Sequence, residues 1–230
     1  MNAQLQQPVI SGGGRPKKYL LADGKTRVPG TTTITGRFKD AGGLIQWAWK
    51  QGIEGNDINR IRDDAGDSGN LAHGMIDCWL LGKEQPAREA RFTDEQWAHA
   101  LNAFEQFKRW VTATRITITH SEMPLISEAH RFGGTLDAVG VLDGALCLLD
   151  WKSSGGIYAD YIVQLGGYSI LWHEVHGERF AECHLARFDK GAAVTSHHSF
   201  GRPVLDVAEQ QFLRLRDAYE ADKDLKKWAK

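Results

Sequence analysis

The sequence predicts one large domain of the α/β or α+β type, and three observations carry that prediction. A chain of 230 residues, 42% of them hydrophobic, is long enough to bury a core without disulfide staples. Apolar residues recur at helical period through Trp97, Leu101, Phe104, Phe107 and Trp110. From Arg115 the period falls to two, in RITITHSE and then LISEAHRF, and it stays there into a hairpin centred on Asp143-Gly144.

The first half of the chain reads as a tail, a short strand and a series of helices. Residues 1–16, rich in Gln, Gly and Pro, read as a flexible N-terminal tail, which leaves 17–230 as the folded domain. Lys17 to Ala22 can form a short strand ending at the Asp23-Gly24 turn. In VPGTTT a turn feeds a helix, and the hydroxyls of Thr31, Thr32 and Thr33 suit capping first and a phosphate at the helix start second. After Gly42-Gly43 the segment LIQWAWKQG is helical. Its Trp47 and Lys50 could stack a base beside a phosphate, although a helical tryptophan also suits a core.

Asn56 to Asp64 suggests another short helix. SGNLAHGMIDCWLLG, after Gly66, is apolar on most sides, as a buried helix should be, and carries His73 between the small residues Ala72 and Gly74. Thr93 to Gln96 has the spacing of a capping box and starts the long helix that runs to about Ala113. The second half is mostly strand. After the hairpin, Tyr158 to His176 is helical, with Gln164 and Tyr168 one turn apart on the same face. Strands over about Glu182–Asp189 and Ala193–Phe200 precede an amphipathic C-terminal helix. There Phe212, Leu215 and Tyr219 share a face, and Lys226, Lys227 and Lys230 suit the negative end of the helix dipole.

The hairpin sets the chemistry. Asp143-Gly144 suits a two-residue type I′ turn, whose central residues both need positive φ. With those two as the loop, Leu142 faces Ala145, Val141 faces Leu146, and Asp137 faces Asp150. Like charges opposed across a ladder are unfavourable, and Lys152 lies on the Asp150 face one step further on. A divalent cation held by oxygen ligands would compensate the pair, with the ammonium orienting a water or stabilising a developing oxyanion. The alternative is a solvated polar face on an ordinary hairpin.

Composition excludes several classes. A formal net charge of −1 rules out a uniformly basic, nucleic-acid-coating surface, although a local basic groove remains open. The cysteines Cys78, Cys147 and Cys183 are dispersed and odd in number, which suits a reducing interior and forms neither a disulfide framework nor a metal knuckle. With no signal-like leader and no apolar run of membrane-spanning length, a soluble, cytoplasmic protein without membrane contact is expected.

Gly134-Thr135-Leu136-Asp137, then Asp150-Trp151-Lys152, then Gln164-Leu165-Gly166-Gly167-Tyr168 resembles the GxxD, (D/E)xK and QxxxY series of the PD-(D/E)xK nuclease superfamily, nearest its RecB-type branch. That branch places a histidine on a helix upstream of the sheet, where Gly69-Asn70-Leu71-Ala72-His73 stands. The valine-proline-threonine turn is similar to the mitochondrial genome maintenance exonuclease and its phage relatives, so phage encoding is part of what the resemblance suggests. It also implies an α/β, restriction-endonuclease-like core: a central mixed sheet of about five strands flanked by helices, with a helical region before it.

As ligands to one or two Mg²⁺ or Mn²⁺ ions it implies Asp137, Asp150, the Trp151 carbonyl and His73, with Glu128 as a further neighbour. Lys152 would act on the attacking water or the transition state, and Gln164 and Tyr168 would support it or touch phosphate. The implied reaction is phosphodiester hydrolysis on DNA that is single-stranded or has free ends. Two departures matter. Leu136 replaces the family proline, and the four cysteines of iron–sulfur members are missing, so no iron–sulfur cluster is expected. The rival readings are an endonuclease or junction resolvase on the same core, and a catalytically silent DNA-binding module.

Overall fold

The computed structural model describes residues 18–192 and 194–229, so the expected N-terminal tail lies outside the described residues. A two-stranded ribbon, β1 (Tyr19–Leu20) and β2 (Arg27–Val28), leads into four helices: α1 (Thr31–Arg37), α2 (Gly42–Ile53), α3 (Ile58–Leu80) and α4 (Asp94–Thr114). Strands β3 (Thr117–Ser127), β4 (Phe132–Leu142) and β5 (Ala145–Lys152) follow, then α5 (Ala159–His176), β6 (Glu182–Phe188), β7 (Thr195–Gly201) and α6 (Arg202–Trp228). The five long strands form one mixed sheet in the order β3-β4-β5-β6-β7. Every pairing is antiparallel except β5 with β6, which α5 connects as a crossover. This is the α/β arrangement that the resemblance implies, a five-stranded mixed sheet flanked by helices.

Local chemistry explains the decisive joints. Asp143 and Gly144 take φ of 50° and 84°, as a type I′ turn requires, and the register runs from Leu142↔Ala145 to Ala138↔Leu149. Thr93 accepts a hydrogen bond from the Gln96 backbone N–H while the Gln96 side chain accepts from the Thr93 N–H, a complete capping box at the start of α4.

Helices cover both faces of the sheet. On one face, Leu71, Met75 and Ile76 of α3 and Phe104, Phe107 and Trp110 of α4 pack on Leu149, Trp151, Ala186 and Phe188. On the other, Leu165, Tyr168, Leu171 and Trp172 of α5 join Ile34 of α1 and Leu205 and Phe212 of α6 against Leu136, Leu148 and Leu185.

Two elements differ from the sequence expectation. Asn56–Asp64 and the segment after Gly66 are one continuous helix, α3, capped by the Asp57 carboxylate, because Gly66 is surrounded by helix-compatible neighbours on both sides. RITITHSE and LISEAHRF likewise contribute to a single strand, β3, which passes through Pro124 and bends at Glu122, a non-glycine residue with φ of 46°. That bend matters for the site.

α5 and α6 touch backbone to backbone at Gly166. A Cβ built there would lie 2.3 Å from the Ala208 carbonyl carbon and 2.4 Å from its oxygen. Gly166→Ala should therefore lose about 1–3 kcal/mol in urea unfolding despite alanine's better helix propensity. Gly52→Ala, in α2 with open space around it, should be neutral or stabilising in the same measurement.

Candidate active site

The β4–β5 ladder stops at Ala138↔Leu149, and the next pair in the same register is Asp137 with Asp150. There the strands separate. The Asp137 Oδ2 accepts the Trp151 backbone N–H at 3.1 Å, replacing a ladder carbonyl with a carboxylate. Both aspartates are buried, each about 1% exposed. Burial at this level demands partners, since an uncompensated buried carboxylate costs several kcal/mol.

Asp150 has the first set of partners. The Lys152 ammonium lies 2.5 Å from its Oδ2, donates to Gln164 Oε1 at 3.3 Å and stands 5.0 Å above the Tyr161 ring. The Gln164 amide in turn donates to the Tyr168 hydroxyl at 2.7 Å and to Asp150 Oδ1 at 3.4 Å. The i, i+4 spacing read from the sequence thus becomes one polar chain, Lys152–Asp150–Gln164–Tyr168. Its register is set by β5 on one side and α5 on the other.

Asp137 meets the second set. His73, on α3, brings Nδ1 to 3.7 Å from Asp137 Oδ1 and 4.0 Å from Glu122 Oε1. Glu122 gets there through its positive φ: Ser121↔Ala138 and Met123↔Leu136 flank it, so the bend in β3 sits directly opposite Asp137. One donor atom from each of His73, Glu122 and Asp137 can be chosen so that all lie within 4.8 Å of one another. Two carboxylates and an imidazole at this spacing suit a hard or borderline divalent ion, whose ligands lie roughly 3–4 Å apart around bonds of about 2.1 Å.

The set opens into a cleft of about 620 Å³ lined by α3, the end of β5 and α5. Gly69 lets α3 approach, since a Cβ there would be 3.0 Å from Ser153 Oγ, and Gly74 leaves the cleft wall open. Lys190 stands at the rim and donates to the Ala65 carbonyl; burial holds its pKa below the ordinary lysine value.

No protein-family model matches the chain, and no curated protein matches it. Several solved structures are similar at a distance. An alkaline exonuclease, LHK-Exo, from Laribacter hongkongensis is 16% identical with a TM-score of 0.37, over 70% of this chain and 84% of that one. LHK-Exo in complex with dAMP gives 17% and 0.39 over the same shares, 70% and 84%. A Eubacterium rectale protein named as a candidate exonuclease gives 12% and 0.42, over 66% of this chain and 68% of that one. Likeness this distant leaves function to be read from the site itself.

His73, Lys152 and Gln164 line the cleft, and Asp137, Asp150 and Tyr168 are buried behind them as their partners. Trp151 contributes its backbone, while its indole is buried against Phe107 and Trp110. Glu128 does not belong here. It sits in the exposed turn beyond the Ser127↔Phe132 pair, roughly 16 Å along β4 from Asp137 at ~3.3 Å per residue, and its carboxylate accepts the Ala22 N–H at 2.7 Å. Glu122 takes the place the sequence reading gave it.

Of the three threonines only Thr32 lines the cleft. Thr31 is buried and donates to the Gly133 carbonyl at 3.0 Å, which removes it from DNA contact, and Thr33 lines a different groove with Lys18 and Arg27. Trp47 and Lys50 lie on α2, which has no buried residue, so the alternative of a core tryptophan does not hold. Asp77, one turn beyond His73, is a further cleft residue that sequence reasoning missed; it accepts the Ser121 hydroxyl at 2.5 Å. The i, i+4 spacing of His73 and Asp77 is the signal that could have found it. Among the described residues no helix is long and apolar enough to cross a membrane.

Proposed function

We propose that this chain is a divalent-metal-dependent deoxyribonuclease, acting as an exonuclease on single-stranded DNA or DNA ends, with residues 17–230 as its nuclease domain. One observation carries the reading. Asp137 is flanked by His73 and Glu122, and both of these line the same cleft as Lys152 and Gln164 of the Lys152–Asp150–Gln164–Tyr168 chain. The register-matched aspartates and a lysine two residues on are what phosphodiester hydrolysis needs: anionic ligands for a cation, and a positive charge for the water or the phosphate.

Asp137, Glu122 and His73 would hold the cation, with Asp150 adjoining. A bound Mg²⁺ or Mn²⁺ supplies Lewis-acid polarisation of the scissile phosphate and lowers the pKa of water. The Asp150 carboxylate and the Gln164 amide oxygen fix the Lys152 ammonium, which orients the attacking water and stabilises the negative charge that builds on phosphate oxygens. Tyr168 holds Gln164 in that orientation through a 2.7 Å bond. Thr32 and Lys190, which line the cleft, would meet the DNA backbone.

The reading is tested with a labelled single strand whose ends are free or blocked, and with a single-stranded circle, each incubated with Mg²⁺ or Mn²⁺. Degradation of free ends that stops on blocking them is expected. Cutting of the circle shows an endonuclease instead, and no cleavage with either ion shows a silent binding module. His73→Ala should raise the metal concentration for half-maximal activity by at least about tenfold, and more for Mn²⁺, whose preference for nitrogen ligands exceeds that of Mg²⁺. An unchanged metal dependence would make His73 a packing residue only.

A further inference from the structure

A second set of metal-ligating side chains lies on the α3–α4 face of the sheet, opposite the face that Asp150 and Lys152 occupy. The parallel β5–β6 register places Cys147 opposite Glu182 and Leu149 opposite His184, so Cys147, Glu182 and His184 share one face. Cys147 is three residues from Asp150 on β5, and the odd spacing turns it away from the nuclease cleft. The thiol sulfur lies 3.5 Å from Glu182 Oε1, and His184 Nε2 lies 3.4 Å from that same oxygen. One donor atom from each can be chosen with all three inside 4.8 Å.

Cys147 and His184 are buried, at 0% and 2% exposed, while the Glu182 side chain is 30% exposed and gives the cluster a route to solvent. His184 Nε2 is itself enclosed and has no well-formed hydrogen bond, the nearest acceptor being the Glu182 oxygen at 3.4 Å. The other ring nitrogen, Nδ1, is tied to His197 Nε2 at 2.9 Å. That is the arrangement of a metal-ligating histidine, whose second nitrogen bonds an outer partner and so fixes the ring and its tautomer.

We propose that Cys147, Glu182 and His184 form a second divalent-cation site, selective for Zn²⁺, that ties β5 to β6, with His197 of β7 as the outer partner of the ligand histidine. A thiolate, an imidazole and a carboxylate make a borderline-soft set that suits Zn²⁺ and disfavours Mg²⁺. The spacing agrees. A tetrahedral zinc ion, about 2.0 Å from nitrogen or oxygen and about 2.3 Å from sulfur, holds its ligands roughly 3.3–3.6 Å apart. Water entering beside Glu182 completes the fourth position.

Cobalt(II), a spectroscopic stand-in for zinc, tests this on the whole chelator-treated chain. Titration should produce a near-ultraviolet thiolate-to-cobalt band with the strong visible absorption of tetrahedral Co²⁺, and added Zn²⁺ should displace both. The thiolate band should vanish in Cys147→Ser and survive in Cys78→Ser and in Asp137→Asn, which removes a nuclease-cleft ligand. Glu182→Gln, at a partly exposed position, should weaken Co²⁺ affinity at least tenfold and keeps the test decisive if Cys147→Ser does not fold. The absence of a thiolate band in the wild type, its persistence in Cys147→Ser, or unchanged affinity in Glu182→Gln overturns the proposal. None of these results depends on nuclease activity.

Discussion

Lys152→Ala should reduce the cleavage rate by about 10²–10³-fold, the loss expected when one preorganised positive donor is removed from a transition state. The ammonium is held between the Asp150 carboxylate and the Gln164 amide oxygen and is only 14% exposed, so it cannot be replaced by a solvent cation in the same position. DNA binding should change far less, because most of the affinity would come from phosphate contacts made by other residues. Single-turnover rates and equilibrium binding of a labelled strand, measured side by side, separate the two effects. Lys152→Arg should restore little, since a planar guanidinium does not fit the place of a compact ammonium. Equal losses in binding and rate would make Lys152 a DNA-anchoring residue with no part in the chemistry.

Asp150→Asn should abolish cleavage and also lower the melting temperature in chelator. From the hairpin register alone, the opposed aspartates look like a repulsion that one neutral substitution would relieve. The geometry reverses that sign. Asp150 is already compensated by Lys152 at 2.5 Å, and Asp137 by the Trp151 N–H at 3.1 Å, so the substitution removes an ion-pair partner. A loss of about 1–3 kcal/mol is expected, limited because the lysine can swing toward solvent. Mn²⁺ should stabilise the wild type by mass action and the variant much less, so metal widens the gap between the two melting curves. A variant that melts higher than wild type in chelator would show that repulsion dominates after all.

The parts of the fold set by local chemistry were legible in the sequence. Asp143-Gly144 can take positive φ at both positions and fixes the β4–β5 register, which places Asp137 and Asp150 together before any tertiary contact is known. The capping box at Thr93 and Gln96 and the Gln164–Tyr168 spacing are local in the same sense. What escaped depends on a backbone kink or on long-range pairing. Glu122 reaches Asp137 through a left-handed residue in mid-strand, which alternation does not reveal, whereas Glu128 only looked close in sequence. Recognising the four-residue turn Glu128–Arg131 would have placed Glu122 opposite Asp137 by the same arithmetic that paired the aspartates. The dispersion of the cysteines likewise concealed Cys147 beside His184, because only the parallel β5–β6 pairing joins them. Gly66 read as a break between two helices but lies inside α3, where its cost of about 1 kcal/mol is spread over a 23-residue element.

The central claim is that Asp137, with His73 and Glu122, holds the cation that cleavage requires. The most direct test follows the single-turnover degradation of an end-labelled single strand by wild type and Asp137→Asn, across an Mn²⁺ titration that begins in chelator. Asparagine still offers an oxygen to the Trp151 N–H, so the fold should be retained and circular dichroism should be unchanged. The account predicts no cleavage by wild type in chelator, a saturable rise with Mn²⁺, and a variant at least about 10³-fold slower at every concentration. Metal-independent cleavage by wild type, or a folded Asp137→Asn that cleaves at the wild-type rate with the same metal dependence, would contradict it.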